Sequence, residues 1–325
     1  MPEAPRIHYA GGQLDRAASD RKNPAWISAQ RTRPGACVVP VWRDRNLVLG
    51  MTDDGTEPRA ARCVIDLHDA TRAVDGTLPW AFLGLDGEAP IFAVDVSAVG
   101  DEPPASLVRG GAAFLDLRRV GALVGARDAA LLAYARALMH WHRRHQYCGN
   151  CGAMTESRHG GHMRRCTNVS CGAEHFPRID PAVIMLVEHR PASGVPRTCL
   201  LARHSRLPSR AFSTLAGFVE PGESLEDAVA REVWEETGVR VSEVTYQASQ
   251  PWPFPSSLMV GFRALAETDA LSVDHEELDE ARWFTAAEVA GFGEWGDETA
   301  RFQLPRRDSI ARVLVDAWLA DAGRA

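Results

Sequence analysis

Glu232, Glu235 and Glu236 stand at i, i+3 and i+4 in the stretch GFVEPGESLEDAVAREVWEETGV, residues 217–239. On a helix those spacings bring the three side chains to neighbouring positions on one face. Like charges so placed destabilise a helix by about 0.2–0.5 kcal/mol per pair. A solvated acidic face leaves Gly217, Glu223, Arg231 and Gly238, at their fixed offsets, without a reason. Divalent cations supply one, because Mg2+ is hard, takes carboxylate oxygens and bridges to substrate phosphates. The chemistry implied is attack of water on a phosphoryl group. There a bound cation lowers the pKa of water from about 15.7 toward neutrality and offsets developing charge. Beyond that, such a reaction needs mainly positioning.

A second constellation is YCGNCGAMTESRHGGHMRRCTNVSCG, with Cys148, Cys151, Cys166 and Cys171 spaced C-x2-C, fourteen residues, C-x4-C. Four thiolates close a tetrahedral zinc site and leave no open position, so the expected role is structural. Such a site contributes about 10–16 kcal/mol of apparent binding energy to folding. The longer second knuckle keeps His162 and His175 as alternative ligands. Cys37, Cys63 and Cys199 lie in strand-like contexts and read as core residues. Around the cluster His140, His142, Arg143, Arg144, His145, Arg158, Arg164 and Arg165 form a basic island, either a solvated ribbon face or a phosphate or RNA contact.

The elements that must hold these groups can be read from pattern. Ser224 is an N-cap with Asp227 three residues on, Leu225, Val229 and Val233 make a buried stripe, and Gly238 ends the helix. DAALLAYARALMHWHRRH is an amphipathic helix leading into the cysteines. ACVVPVWRDRNLVLG, IFAVDVSAV, AVIMLV, TCLLAR, VTYQAS, LMVGFRAL and ARWF read as strands, and IARVLVDAWLA as a final helix. The strand–turn–strand near Cys37 to Leu49 resembles that near Ala182 to Leu201, as a degenerate duplication would. In SQPWPFPSSLM, three prolines in five positions predict an extended, exposed loop presenting Trp252 and Phe254 as a stacking platform.

The 325 residues suggest two or three domains, and 45% apolar content suits globular packing. A net charge of -7 argues against a surface devoted to nucleic acid. No long apolar stretch follows a basic start, and AVIMLV is too short to span a bilayer, so a cytoplasmic protein without a membrane partner is expected. Seven cysteines, four in one segment, suit a metal better than a disulfide framework.

The 217–239 stretch matches the Nudix box in full, and the chain resembles Nudix hydrolases. SQPWPFP and FPRIDPAVI resemble the bacterial NADH pyrophosphatases, also described as NAD-capped RNA hydrolases. The resemblance implies an α/β (α+β) architecture: a Nudix sheet–helix sandwich preceded by a zinc ribbon and a divergent Nudix-like N-terminal domain. The expected bounds are 1–126 for that domain, 127–145 for a connecting helix, 146–177 for the ribbon and 178–325 for the catalytic domain. It implies that Glu232, Glu235, Glu236 and Glu277 bind catalytic Mg2+ or Mn2+, beside structural Zn2+ on the cysteines. Glu223 and Arg231 pair as a brace. Phe218 and Trp252 sandwich nicotinamide, with Trp252 from the same chain or from the partner subunit of a homodimer. Phe176, Ile184, Ser257, Met259 and Ala311 fall at other ligand-lining positions. The implied reaction splits NADH, and more slowly NAD+, into nicotinamide mononucleotide and AMP. Decapping of 5′ NAD-capped RNA and a catalytically silent nucleotide-binding regulator are the alternatives.

Overall fold

The computed structural model describes residues 7–50, 59–60, 78–204 and 210–322; Cys63 lies outside them. The chain divides into two compact units. Among the described residues, the N-terminal unit holds those within 9–179 together with 252–256, and the C-terminal unit holds Ile7, His8 and those within 180–251 and 257–322.

In the N-terminal unit, strands β1 (Cys37–Trp42), β2 (Arg45–Leu49), β3 (Arg59–Ala60), β4 (Trp80–Asp86), β5 (Ala89–Asp95) and β6 (Ala113–Leu115) form one sheet. Its order is β3-β2-β1-β5-β4, with β6 also paired to β2. Side chains alternate between its faces. Val39, Val41, Ile91 and Ala93 share a core with Leu131, Leu132, Ala135 and Leu138 of the long helix, while Val38, Phe92 and Val94 pack with Ile27 on the other face. That explains the near-continuous apolar runs of β1 and β5, since a sheet covered on both faces needs them. The helices here are α1 (Pro24–Arg31), α2 (Leu117–Val120) and α3 (Ala126–Arg144), and α1 and β4 are elements the sequence pattern did not reveal.

The ribbon is a three-stranded sheet of β7 (Thr155–Arg158), β8 (Met163–Cys166) and β9 (Glu174–His175). It brings the sulfurs of Cys148, Cys151, Cys166 and Cys171 within 4.8 Å of one another. Cys148 Sγ lies 3.8 Å from Cys171 Sγ, and Cys151 Sγ lies 3.4 Å from Cys166 Sγ. Tetrahedral zinc with bonds of about 2.3 Å sets sulfurs about 3.8 Å apart, so the four fit the ion. Neither histidine is needed. His162 donates from Nε2 to the Phe82 carbonyl at 2.7 Å, and His175 Nε2 sits 3.3 Å from Cys148 Sγ, where it supports a ligand sulfur.

In the C-terminal unit, β10 (Asp180–His189), β11 (Thr198–His204), β12 (Leu215–Phe218), β13 (Val241–Trp252), β14 (Ser257–Ala266) and β15 (Leu278–Thr285) form a sheet of order β13-β14-β10-β11-β15. The short β12 pairs with β10. Val183, Met185 and Val187 of β10 pack on Ala228, Val229 and Val233 of α4 (Leu225–Thr237). Ile184 and Leu186 face α6 (Ile310–Ala322), meeting Ile310, Ala311, Leu314 and Trp318, and the short α5 (Ala286–Ala290) adds Val289 to that core. The result is a sheet between helices, the expected α/β sandwich. Both sheets pair their first strand antiparallel to the second and parallel to a later one: β1 with β2 and β5, β10 with β11 and β14.

The proline-rich segment departs from the expected open loop. Gln250, Pro251 and Trp252 finish the edge strand β13, where a missing ladder donor is tolerated. Phe254 is buried in the core of the N-terminal unit, under the guanidinium groups of Arg118 and Arg136. Arg136 Nε donates to the Pro253 carbonyl at 2.8 Å. Phe254 is therefore core, and Trp252, half-buried and edge-on to Tyr9 and Phe254, is the ring left partly open.

The zinc geometry predicts that Cys148→Ser with Cys151→Ser releases the ion and lowers the melting temperature, because binding is coupled to folding. Stoichiometric zinc retained by the double variant in elemental analysis would show that the ligand set is wrong.

Candidate active site

The acidic helix begins where the pattern placed it. Ser224 Oγ accepts from the Asp227 amide at 3.1 Å, and Asp227 accepts from the Ser224 amide at 3.2 Å, a reciprocal cap. Gly238 ends α4 in the left-handed region at φ 69°. The preceding loop is anchored by β12, whose Gly217 and Phe218 pair with Val183 and Ala182 of β10.

Gly217 is required for space rather than for backbone freedom. A Cβ built on it would lie 1.8 Å from Cδ of Glu232 and 2.0 Å from its Oε1. The carboxylate of Glu232 occupies the volume a side chain at 217 would need. Arg231 fixes the remaining geometry. Its Nε and Nη2 donate to the two oxygens of Glu223 at 3.0 and 2.7 Å, a bidentate pair. Nη1 donates to Glu232 at 3.0 Å and to Glu235 at 2.9 Å, and Nη2 also reaches the Phe218 carbonyl at 2.9 Å. The guanidinium holds the Glu223 carboxyl down at about 2, and the Glu220 amide adds to this.

Glu236 is different. It is 2% exposed, and its Oε2 has no hydrogen-bond partner. Burial first, then the charges of Glu232, Glu277, Asp274 and Glu235, push its carboxyl up to about 8. Glu232 is also raised, chiefly by burial and against the pull of Arg231. The structure thus brings Glu277, from the exposed segment before β15, into electrostatic range of Glu232 and Glu236. Asp274 joins them, its amide bonded to the Glu236 carbonyl at 2.9 Å. Sequence reasoning passed over Asp274, for which only its place in an acid-rich stretch was a signal. A buried, unpartnered carboxylate oxygen among like charges suits a hard divalent cation. Among the described residues, only the four cysteines bring three or more ligand atoms within 4.8 Å. The glutamates are spread more widely, two of them held by Arg231.

The other expected residues fall in several places. Phe218 is 61% exposed at the end of β12, and Phe176 is 62% exposed in the N-terminal unit. Ser257 opens β14 opposite Asp180. Ile184 of β10 and Ala311 of α6 are buried in the core that the two elements share, with Met259 partly buried against it. Much of the basic island is spent internally. Arg143 pairs with Asp95 at 2.7 Å, Arg164 donates to Thr155 Oγ1 at 2.7 Å, and buried His142 donates to the Gly161 carbonyl at 2.8 Å.

Comparison with known proteins gives three family matches in chain order. The NADH pyrophosphatase-like rudimentary NUDIX domain matches residues 35–141, the NADH pyrophosphatase zinc ribbon domain 143–176 and the NUDIX domain 179–304. The human NAD-capped RNA hydrolase NUDT12 is 33% identical over 359 residues, covering 96% of this chain and 73% of that protein. The NAD-capped RNA hydrolase NudC of Mycobacterium bovis is 44% identical over 211 residues, 63% of this chain and 65% of that one. Nudix hydrolase 19, chloroplastic, of Arabidopsis thaliana is 47% identical over 167 residues, 50% of this chain and 37% of that one.

The close approach at Gly217 predicts that Gly217→Ala displaces the Glu232 carboxylate. Mn2+ affinity, read by electron paramagnetic resonance titration, should weaken about 10- to 100-fold while zinc content is unchanged. Unaltered Mn2+ affinity would mean that Glu232 does not depend on that space.

Proposed function

Because the chain belongs to the Nudix hydrolase family, with a rudimentary NUDIX domain, a zinc ribbon and a NUDIX domain in one chain, we propose that it hydrolyses the pyrophosphate of NADH. NAD+ would be a slower substrate, and the products would be nicotinamide mononucleotide and AMP. The observation that carries this reading is the buried, unpartnered Oε2 of Glu236 beside Glu232 and within the field of Glu277.

In this reading Glu232, Glu235, Glu236 and Glu277 hold Mg2+ or Mn2+. The cation would supply a lowered water pKa and charge neutralisation on the phosphoryl oxygens. Arg231 and Glu223 keep the loop and helix in register. Burial and the neighbouring carboxylates disfavour the charge on Glu236, and a cation held there would offset that penalty. Phe218 stacks on the nicotinamide, and Trp252 supplies a second ring from the partner subunit of a homodimer. Ser257 and Met259 line the ligand within the C-terminal unit, with Ile184 and Ala311 behind them. A silent regulator has no use for the full glutamate set. The cytoplasmic location and the domain bounds expected from the sequence remain part of this reading. No helix among the described residues is long and apolar enough to cross a membrane.

Decapping of 5′ NAD-capped RNA is the second reading, favoured by the names of the human and mycobacterial relatives. Steady-state comparison of free NADH with capped RNA separates the two.

Glu236→Gln keeps size and helix propensity and removes one buried charge. Turnover of NADH with Mg2+ or Mn2+ should fall at least about a hundredfold, with no loss of melting temperature. Near-native turnover in this variant sinks the assignment.

Trp252→Ala should weaken NADH use by about 1–3 kcal/mol, roughly five- to 150-fold. ADP-ribose has the same adenylate and pyrophosphate but lacks nicotinamide, so its hydrolysis should change far less. Equal losses on both substrates would instead make Trp252, packed on Tyr9 and Phe254, a structural residue.

A further inference from the structure

The N-terminal unit contains a cavity of about 520 Å3 between the segment around α1 and the zinc-ribbon hairpin. Pockets of about 300–1,000 Å3 hold ligands of small-molecule size. None of the glutamate set lines this one. Its charge is one-sided: Arg21, Lys22, Arg31, Arg158 and Arg165 face it, against the single carboxylate of Glu174. That is unusual in a chain of net charge -7.

The basic groups are not equally satisfied. Arg158 is paired with Glu156, and Arg21 donates to the Arg16 carbonyl at 3.4 Å. Arg31 has no carboxylate partner among the described residues. Its guanidinium sits 4.6 Å from the centroid of the Trp80 ring, and its Nε is buried without a hydrogen-bond acceptor. Burial disfavours its charged form. Trp80 supplies a cation–π contact but no acceptor for the N–H groups. Such a group lacks an oxygen-bearing anion, and a planar guanidinium matches the oxygens of a phosphate. Exposed Lys22 and Arg165, also without carboxylate partners among the described residues, add charge at the same opening.

We propose that this cavity binds a phosphate-bearing anion of nucleotide size, with Arg31 held on Trp80 as the anchoring group and Lys22 and Arg165 as its flanking charges. The site is separate in its residues from the glutamates and does not depend on the NADH reading. A free nucleotide polyphosphate and the phosphodiester chain of an RNA carry the same chemistry, and the probes distinguish them.

The test is isothermal titration of the zinc-loaded full chain, without added Mg2+ or Mn2+, with inorganic pyrophosphate and, separately, with a 5′-hydroxyl single-stranded oligoribonucleotide. Binding should weaken with salt. Arg31→Gln should reduce affinity at least about tenfold, with NADH turnover and melting temperature unchanged. Lys22→Gln, on an exposed side chain, should reduce it in the same direction without risk to folding. A loss confined to pyrophosphate supports the site and names free phosphates as its source. A loss confined to the oligoribonucleotide supports it and names the phosphodiester chain. Affinity for both probes unchanged in both variants overturns the proposal.

Discussion

A single guanidinium organises the acidic edge of the C-terminal unit. Arg231 bonds both oxygens of Glu223, one oxygen each of Glu232 and Glu235, and the Phe218 carbonyl. Those contacts tie the end of β12, the loop after it and the middle of α4 into one rigid piece. They also leave the charge unbalanced, because one cation faces Glu223, Glu232 and Glu235 while Glu236 stays outside its reach. Removing Arg231 would leave the buried carboxylate of Glu232 without its partner, which costs more than the pairing itself contributes. The arrangement therefore holds together as a unit and retains a deficit of positive charge at one point.

That deficit is deepened by where the glutamates sit. Glu235 and Glu236 lie in the last turn of α4, which has no basic residue. The negative end of the helix dipole disfavours carboxylates there. Burial and like-charge repulsion act on Glu236 in the same direction. Three unfavourable terms at one residue are not explained by stability, and such conflicts concentrate at functional sites. The opposite face of α4 offsets them, with Val229 and Val233 fully buried against β10.

What was legible in the sequence follows from how local each signal is. The ends of α4 were readable because Ser224, Asp227 and Gly238 act within one turn of themselves. The cysteine four were readable because zinc imposes its own spacing. By contrast, the reason for Gly217 is a contact fifteen positions away, and spacing alone showed a requirement without its cause. The proline-rich segment was misjudged because propensity describes backbone, not surroundings. Pro251 is compatible with an edge strand, and what buries Phe254, in the turn after it, is a set of groups from Tyr9, Arg118 and Arg136 that no local pattern links to it. Strand β4 was missed because Gly84 breaks its apolar run and Asp86 and Gly87 follow, residues that punctuate turns.

The two sheets show how differently a fold and a site constrain a chain. Each sets an antiparallel neighbour on one side of its first strand and a parallel one on the other. Apolar residues of roughly the right size satisfy that pattern, so it survives wide sequence change. The glutamate edge has no such latitude. It needs a residue without a side chain at 217, a guanidinium at 231 and a carboxylate at 236 that folding alone would disfavour. A copy of the sheet released from that chemistry would lose the edge first, since the glycine in a strand and the buried carboxylate work against local stability and Arg231 serves only the carboxylates around it. Its core would persist, because each apolar side chain there works for it. The N-terminal sheet, matched as a rudimentary NUDIX domain, has a core of that persistent kind, with Val39, Leu83 and Ile91 all fully buried.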